Sequence, residues 1–327
     1  MGRRVTAMGR SGSLVSVVIP THDRRERLRR AVRSVLAQRG VDLQVIVVDD
    51  GSTDGTEAMI EGIVDPRIRL VRHEVAVGES GARNRGIAEA EGDWVAFLDD
   101  DDLWAPDKLE RQLEALGATG RAWAYGGEVV VDEELRVLAG SPPPDPVVVV
   151  AQLRRYNAVP GSASSVLVAS ALLARVGSFD VELRRTPDWD MWLRLAGEGL
   201  PASVDRPIVA ISVHAGNVSR DMGTLFAELE EVAARHGIDV DRARHHRWAA
   251  WTSLVAGERV GAFRRYVAAA AAGDPTSLAR AFAVLVPVPG WPARRRQRSD
   301  HDPWRDEAEA WLEVFKAGPT ELLSFVE

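Results

Sequence analysis

Four consecutive carboxylates, Asp99-Asp100-Asp101-Asp102, follow directly on the apolar run Trp94-Val95-Ala96-Phe97-Leu98. An apolar run of strand-forming residues without alternation reads as a strand buried on both faces. Carboxylates at its end cannot enter a core unpaired, so they must face a cleft, water or a cation. The competing reading is a solvated acidic turn before a helix that starts near Pro106 and Asp107. Two more polar clusters also close apolar runs, Pro20-Thr21-His22-Asp23 and Asp49-Asp50-Gly51-Ser52.

The elements around these clusters decide between the readings. Residues 14–20 and 43–48 read as buried strands, 68–72 as a shorter one, and 94–98 as a fourth. Residues 24–38 place Leu28, Ala31, Val32, Val35 and Leu36 at helical spacing, and 53–63 and 80–90 read as further helices. Strands separated by such helices imply parallel pairing through right-handed crossovers. Ligands of such sheets bind beyond the carboxyl ends of the strands. All three polar clusters lie at those ends, so one crevice can collect them.

Composition narrows the classes. The 327 residues suffice for one large α/β domain or two smaller ones, and 46% hydrophobic with 27% charged residues is ordinary for a soluble globular chain. A net charge of −7 argues against nucleic acid as a partner, with Arg294-Arg295-Arg296-Gln297-Arg298 as a local exception. Without cysteine, disulfides, thiolate metal sites and cysteine nucleophiles are excluded. Residues 1–13 are basic, polar and expected to be flexible, with no signal-type apolar segment. No stretch approaches the ~20 apolar residues of a spanning helix, so a cytoplasmic location is expected.

Several motifs fail on their context. The first strand ends in Pro20-Thr21-His22-Asp23 rather than the glycine-rich turn of a dinucleotide fold, and no phosphate loop is present. Asp50, Ser52, Asp54, Gly55 and Glu61 approach the spacing of a calcium loop, but a strand rather than a helix precedes them. An aspartyl-phosphate phosphatase would carry Thr or Val where Asp102-Leu103 stands.

Five blocks, VSVVIPTHD (15–23), VVDDGSTDGT (47–56), GARNRG (81–86), FLDDDDLWAPDKL (97–109) and Phe179 with PDWDMWLR (187–194), stand in the order and spacing of one family. The chain resembles the family 2 glycosyltransferases of GT-A fold over about residues 14–215. The resemblance implies an α/β, Rossmann-like, mixed and mostly parallel sheet flanked by helices. A catalytic domain over 14–220 would divide into a nucleotide-sugar half (14–104) and an acceptor half (105–220), followed by a helical carboxyl-terminal region (221–327). The implied activity is inverting transfer of a sugar from a nucleoside-diphosphate sugar to a hydroxyl acceptor. UDP is the favoured nucleotide, with GDP or dTDP as alternatives.

The same resemblance assigns roles. Breaking the bond from anomeric carbon to phosphate leaves charge on a diphosphate, which Mn2+ or Mg2+ can neutralise; both take oxygen ligands. Asp101 would bind this metal, and Asp99 and Asp100 would contact ribose or assist it, with Asp102 behind them. Pro20, Thr21, His22 and Asp23 would touch base and ribose, although His22 and Asp23 stand where the family carries Tyr or Asn and Asn. Asp50 would bind the base with Asp49 in support, and Arg83 would reach base, ribose or diphosphate. Asp188 would be the general base, starting a helix whose amides keep it ionised. Asp190 would instead pair with Arg194, and Trp189 and Trp192 serve a sugar platform or the core. His214, after a last strand at 209–213, is a candidate for metal or diphosphate.

The remainder is less specific. Residues 122–131 read as a strand into the acceptor half, and Gly161 to Ser165 is placed to line its cleft. Helical patterns fill 225–234, 243–255 and 262–272. Residues 278–298 are apolar with a basic border and suit either the surface of an anionic membrane or packing on the domain. Residues 302–316 form an amphipathic helix for packing in cis or in a homodimer. The acceptor would be a carbohydrate, a lipid-linked sugar or a small hydroxyl compound. The two competing functions are a nucleotidyltransferase, disfavoured because the first loop lacks a triphosphate cradle, and an inactive nucleotide-sugar-binding module.

Overall fold

The computed structural model describes residues 13–213, 222–255, 257–285 and 303–316. Strands β1 (Leu14–Thr21), β2 (Asp42–Asp49), β3 (Ile68–Arg72) and β4 (Trp94–Phe97) alternate with helices α1 (Arg25–Leu36), α2 (Thr56–Glu61) and α3 (Glu79–Ala88). These strands pair in parallel in the order β3-β2-β1-β4, so the carboxyl ends of β1, β2 and β4 open on one edge. Both faces are covered. Val18, Ile46, Val95 and Phe97 point to one core, and Val17, Ile19, Val45 and Val47 to the other. Gly86 of α3 belongs to this packing, because a Cβ there would run into Val18.

Beyond β4 the sheet becomes mixed. The chain continues through β5 (Leu103–Trp104), α4 (Lys108–Thr119), β6 (Trp123–Val131), β7 (Val137–Ser141) and α5 (Pro146–Leu153). A 3-10 turn at Ser162–Ser165 then leads into β8 (Leu167–Ala169), α6 (Ser170–Val176), α7 (Pro187–Glu198) and β9 (Ala202–Ser212). The sheet order is β3-β2-β1-β4-β8-β6-β9-β5, with β7 on β6. Strand β9 starts earlier than residue 209, where the sequence places its beginning. Pro207 interrupts the apolar pattern, and register shifts at Gly126 and Gly127 accommodate it opposite β6.

Helices α8 (Met222–His236), α9 (Arg242–Val255), α10 (Arg259–Ala271), α11 (Ser277–Leu285) and α12 (Pro303–Lys316) complete the described chain. Ala308, Leu312 and Phe315 of α12 are buried with Val129, Val131 and Val137 of the sheet. Gly127 is required there, since a Cβ would overlap the Trp304 ring. The apolar face that the sequence leaves open to a homodimer is therefore covered within the chain.

Among the described residues one lysine is buried without a carboxylate partner. Lys108, at the start of α4, lies with Nζ 3.9 Å from the centre of the Trp104 ring and donates to Gln112 Oε1 at 2.8 Å. Burial pushes its ammonium pKa well below the usual lysine value. At neutral pH the unfolded chain then binds a proton that the folded chain resists. Stability contributed by this site therefore rises with pH toward the unfolded pKa of about 10.4. Lys108→Met is expected to raise the thermal midpoint at pH 7, with the gap closing toward pH 10. Parallel midpoint–pH curves for the two proteins would refute this assignment.

Candidate active site

The acidic cluster after β4 is split between two cations and two hydroxyls. Asp100 accepts from Thr21 Oγ1 at 2.7 Å and from Arg24 Nη1 at 2.9 Å, and the same Nη1 reaches Asp101 Oδ2 at 3.0 Å. Asp102 turns inward, accepting from Ser164 Oγ at 2.7 Å and from the Ser212 amide at 3.0 Å. Ser164 Oγ also accepts the Asp99 amide, which ties this loop to the turn before β8. Burial raises the Asp100 pKa to about 6, against the pull of Arg24, and lifts Asp102 well above the usual carboxylate range with help from Asp101 and Asp99.

Asp99 faces the other way, toward Arg83 of α3. The Arg83 guanidinium is 1% exposed and contacts three carboxylates: Asp99 at 2.6 Å, Asp188 at 2.8 Å, and Glu79 one helical turn back. It also lies 5.3 Å from the centre of the Phe179 ring. Its buried Nε has no partner among the described residues. Burial raises the Asp99 pKa despite Arg83, and Asp188 and Asp101 add to the rise. For Glu79, whose side chain is about half exposed, the attraction of Arg83 is outweighed by partial desolvation at the cleft and by Asp99, Asp188 and Asp100, which lift the carboxyl to about 7.

Asp188 stands in the first turn of α7, after Pro187. Besides Arg83 it accepts a hydrogen bond from Ser162 Oγ. A carboxylate there meets unpaired helix amides. Asp190 points away and is held by Arg194 at 2.8 Å, with Arg235 and His236 of α8 on its other oxygen. Trp189 and Trp192 are buried in the core, and Trp189 also borders the cleft. The segment before α7 hangs on Glu228 of α8. This carboxylate accepts the amides of Arg184, Arg185 and Thr186 at 2.7 to 3.0 Å and the Thr186 hydroxyl at 3.1 Å.

The loops after β1 and β2 brace one another. Asp50 receives the amides of Val77 and Gly78 and a ring nitrogen of His73, so both its oxygens hold the loop ahead of α3. Asp49 binds the Ser52 amide and Arg72. His22 contacts the Asp50 carbonyl at 2.8 Å, and its side chain is about half exposed. Asp23 has φ 52°, a left-handed conformation Asp tolerates, and accepts the Thr53 amide at 2.7 Å. Pro20 is buried at the end of β1.

A cleft of about 850 Å3 adjoins this edge. Its acidic end is formed by Glu79, Asp99, Asp102 and Asp188 around Arg83, with Gly161 and Ser162 beside them. Its other end is walled by α9, α10 and α11. Arg83, Asp99 and Asp188 of the sequence-derived set therefore meet in the cleft, whereas Thr21, Asp100 and Asp101 gather at Arg24 and Asp50 lies with His22. His214 and Arg294 to Arg298 lie outside the described residues, as does most of 278–298. Arg24, Glu79, Ser162 and Glu228 are additions by the structure. Glu79 had a signal in its i,i+4 spacing to Arg83; the Glu228 contacts join segments about 43 residues apart and had none.

Among the described residues no group of three or more His, Cys, Asp or Glu side chains is set to hold a metal. Two carboxylates do converge on one cationic nitrogen, Asp100 and Asp101 on Arg24. That pair fits a hard divalent cation that takes its remaining oxygens from phosphate and water.

Comparison with known proteins gives consistent likenesses. Residues 16–156 match the model of glycosyl transferase family 2. The chain is 43% identical over 118 residues to the succinoglycan biosynthesis protein ExoO of Rhizobium meliloti, covering 36% of this chain and 32% of that one. It is 34% identical over 119 residues to the Escherichia coli UDP-Glc:alpha-D-GlcNAc-diphosphoundecaprenol beta-1,3-glucosyltransferase WfgD, covering 36% and 47%. To WfaP, a protein of E. coli with the same described activity, it is 27% identical over 237 residues, covering 72% and 89%. The chain thus spans a third to a half of the first curated relatives it matches. The S. aureus TarS 1-349 structure in complex with UDP superposes with TM-score 0.51 at 17% identity, over 92% of this chain and 91% of that one, a likeness of fold.

Proposed function

Because residues 16–156 belong to glycosyl transferase family 2, we propose that this protein moves a sugar from a UDP-sugar to a hydroxyl of a lipid-linked acceptor, with inversion and with Asp188 as general base. The observation that carries the reading is the Arg83 bridge, which joins Asp99 of the strand-end cluster to Asp188 at the head of α7. Two relatives described as using UDP-Glc and a diphosphoundecaprenol-linked sugar support the choice of donor and acceptor.

Each residue has a task in a single displacement. Asp188 accepts the proton as the acceptor oxygen bonds to the anomeric carbon and the bond to the diphosphate breaks. Arg83 and Ser162 hold that carboxylate in one orientation. A positioned base of this kind contributes about 10²- to 10⁴-fold. Arg24 brings cationic charge to the strand-end carboxylates. Asp100 and Asp101 would hold Mn2+ or Mg2+, which supplies charge neutralisation to the leaving diphosphate. Thr21, His22, Asp23 and Asp50 shape the side on which the nucleoside is placed.

The donor assignment is tested by calorimetry with UDP, GDP, dTDP and CDP, each with and without manganese. UDP is expected to bind with metal, and Asp101→Ala to weaken it at least about tenfold, the weight of one lost charge-assisted contact. Absence of metal-dependent binding of every nucleotide, or an unchanged Asp101→Ala, would overturn it.

Among the described residues no helix is long and apolar enough to cross a membrane. On α11, however, Leu278, Phe282 and Leu285 recur at helical spacing and are 44%, 64% and 49% exposed. This face is assigned to the membrane that carries the lipid-linked acceptor. Phe282→Glu is expected to reduce co-sedimentation with anionic vesicles several-fold; equal sedimentation would remove the assignment.

A further inference from the structure

The two ends of the cleft differ in sign. Around Asp188 the lining is acidic, whereas Arg244, Arg247 and Arg280 line it from the carboxyl-terminal helices and Arg184 and Arg185 from the segment ahead of α7. This is a cationic site in a chain of net charge −7. Arg247 and Arg280 share one carboxylate, Asp274, at 2.8 and 3.3 Å. The Arg244 guanidinium sits over Tyr156, 3.8 Å from the ring centre, and along with Arg184 and Arg185 makes no ion pair among the described residues. Guanidinium forks grouped in a concavity, with fewer carboxylates than charges, suit phosphate oxygens. Trp248 and Trp251 stand beside them in the lining, 46% and 44% exposed, as apolar surface where the cleft meets solvent.

We propose that this arginine end is the binding site for a diphosphate that carries an apolar chain, with Trp248 and Trp251 along the first part of that chain. The proposal rests on the glycosyltransferase reading above and adds the subsite of its acceptor. Around Asp188 the one guanidinium, Arg83, is already held by three carboxylates, whereas the arginines beside Tyr156 and Trp248 are not, so a diphosphate is bound there and the acceptor is oriented in one sense. Its charged link lies on the arginines, and the sugar hydroxyl extends toward Asp188. Arg184 and Arg185 are four and three residues ahead of Asp188, and Glu228 fixes their backbone amides. The phosphate end and the reacting end of the acceptor are thus set by one segment.

The test titrates farnesyl diphosphate, inorganic diphosphate and farnesol into the full chain by calorimetry, in EDTA and with and without excess UDP. Farnesyl diphosphate is expected to bind best and to be indifferent to UDP. Arg184→Gln/Arg185→Gln and Arg244→Gln should each weaken it by about tenfold or more, at about tenfold per charge-assisted contact. Trp248→Ala/Trp251→Ala should weaken farnesyl diphosphate and leave inorganic diphosphate unchanged. Failure of wild type to bind, displacement by UDP, or wild-type affinity in the arginine variants would overturn the site. Equal affinity for farnesyl and inorganic diphosphate would overturn its lipid half. UDP binding with manganese, measured on the same variants, should be unchanged; its absence in wild type would count against the donor reading and not against this subsite.

Discussion

Asp188→Asn is expected to lower kcat by about 10²- to 10⁴-fold while UDP affinity and the thermal midpoint stay at wild-type values. The substitution removes the proton-accepting charge and little else. Asparagine keeps the shape, its carbonyl can still accept from Arg83 Nη1, and its amide can face the Ser162 oxygen that now donates to Asp188. Arg83 also retains Asp99 and Glu79. The measurement is transfer from the nucleotide-sugar whose nucleotide binds, with calorimetry and melting on the same preparation. A variant that keeps more than a tenth of wild-type kcat would eliminate Asp188 as the base, and Glu79, whose carboxyl is raised to about 7 on the same guanidinium, would become the next to replace.

The second large effect belongs to Arg83. Arg83→Met leaves Glu79, Asp99 and Asp188 facing one another without their shared cation. Breaking one partner of a buried ion pair destabilises by roughly 3–5 kcal/mol, and the lower end applies because Glu79 is half exposed. The loss should depend on pH in a definite sense. Glu79 and Asp99 are already raised above their unfolded values near 4, and losing the opposing pull of Arg83 lifts them further. Stability is then retained below those unfolded values and lost as pH rises through the folded ones. The midpoint of Arg83→Met should accordingly fall further below wild type at pH 8 than at pH 5. Transfer should be lost as well, and Arg83→Lys should be only partly restored, since one ammonium cannot fork to three carboxylates. A gap in midpoint that is the same across this range would separate Arg83 from the carboxylates.

Much of the parallel half of the sheet was legible because its signals are local. The apolar runs of β1, β2 and β4 and the helical spacing of α1 each reside in a few residues. The Asp190–Arg194 pair was legible for the same reason, being one helical turn. What the sequence could not show is which carboxylate meets which cation across the fold. The resemblance gives Asp101 to metal, and nothing local in the sequence points to Arg24, 77 residues away, on the same carboxylate. The resemblance gives Asp50 the base, and the structure adds contacts to Val77, Gly78 and His73, a loop without periodicity. The tryptophans of α7 were ambiguous because a period of 3.6 does not say which face finds the core.

Glu228 bears on how this chain could be divided. The sequence suggests a cut near residue 220, and the family match ends at 156. A protein shortened at 220 would retain every strand of the sheet, and the head of α7 would lose the carboxylate that gathers three of its preceding amides. The segment carrying Asp188 would be freed to rearrange, and Asp190 would lose Arg235 and His236. Such a fragment could keep a folded sheet and still lack a formed acceptor end. For grafting or domain exchange, the smallest transplantable piece therefore includes α8.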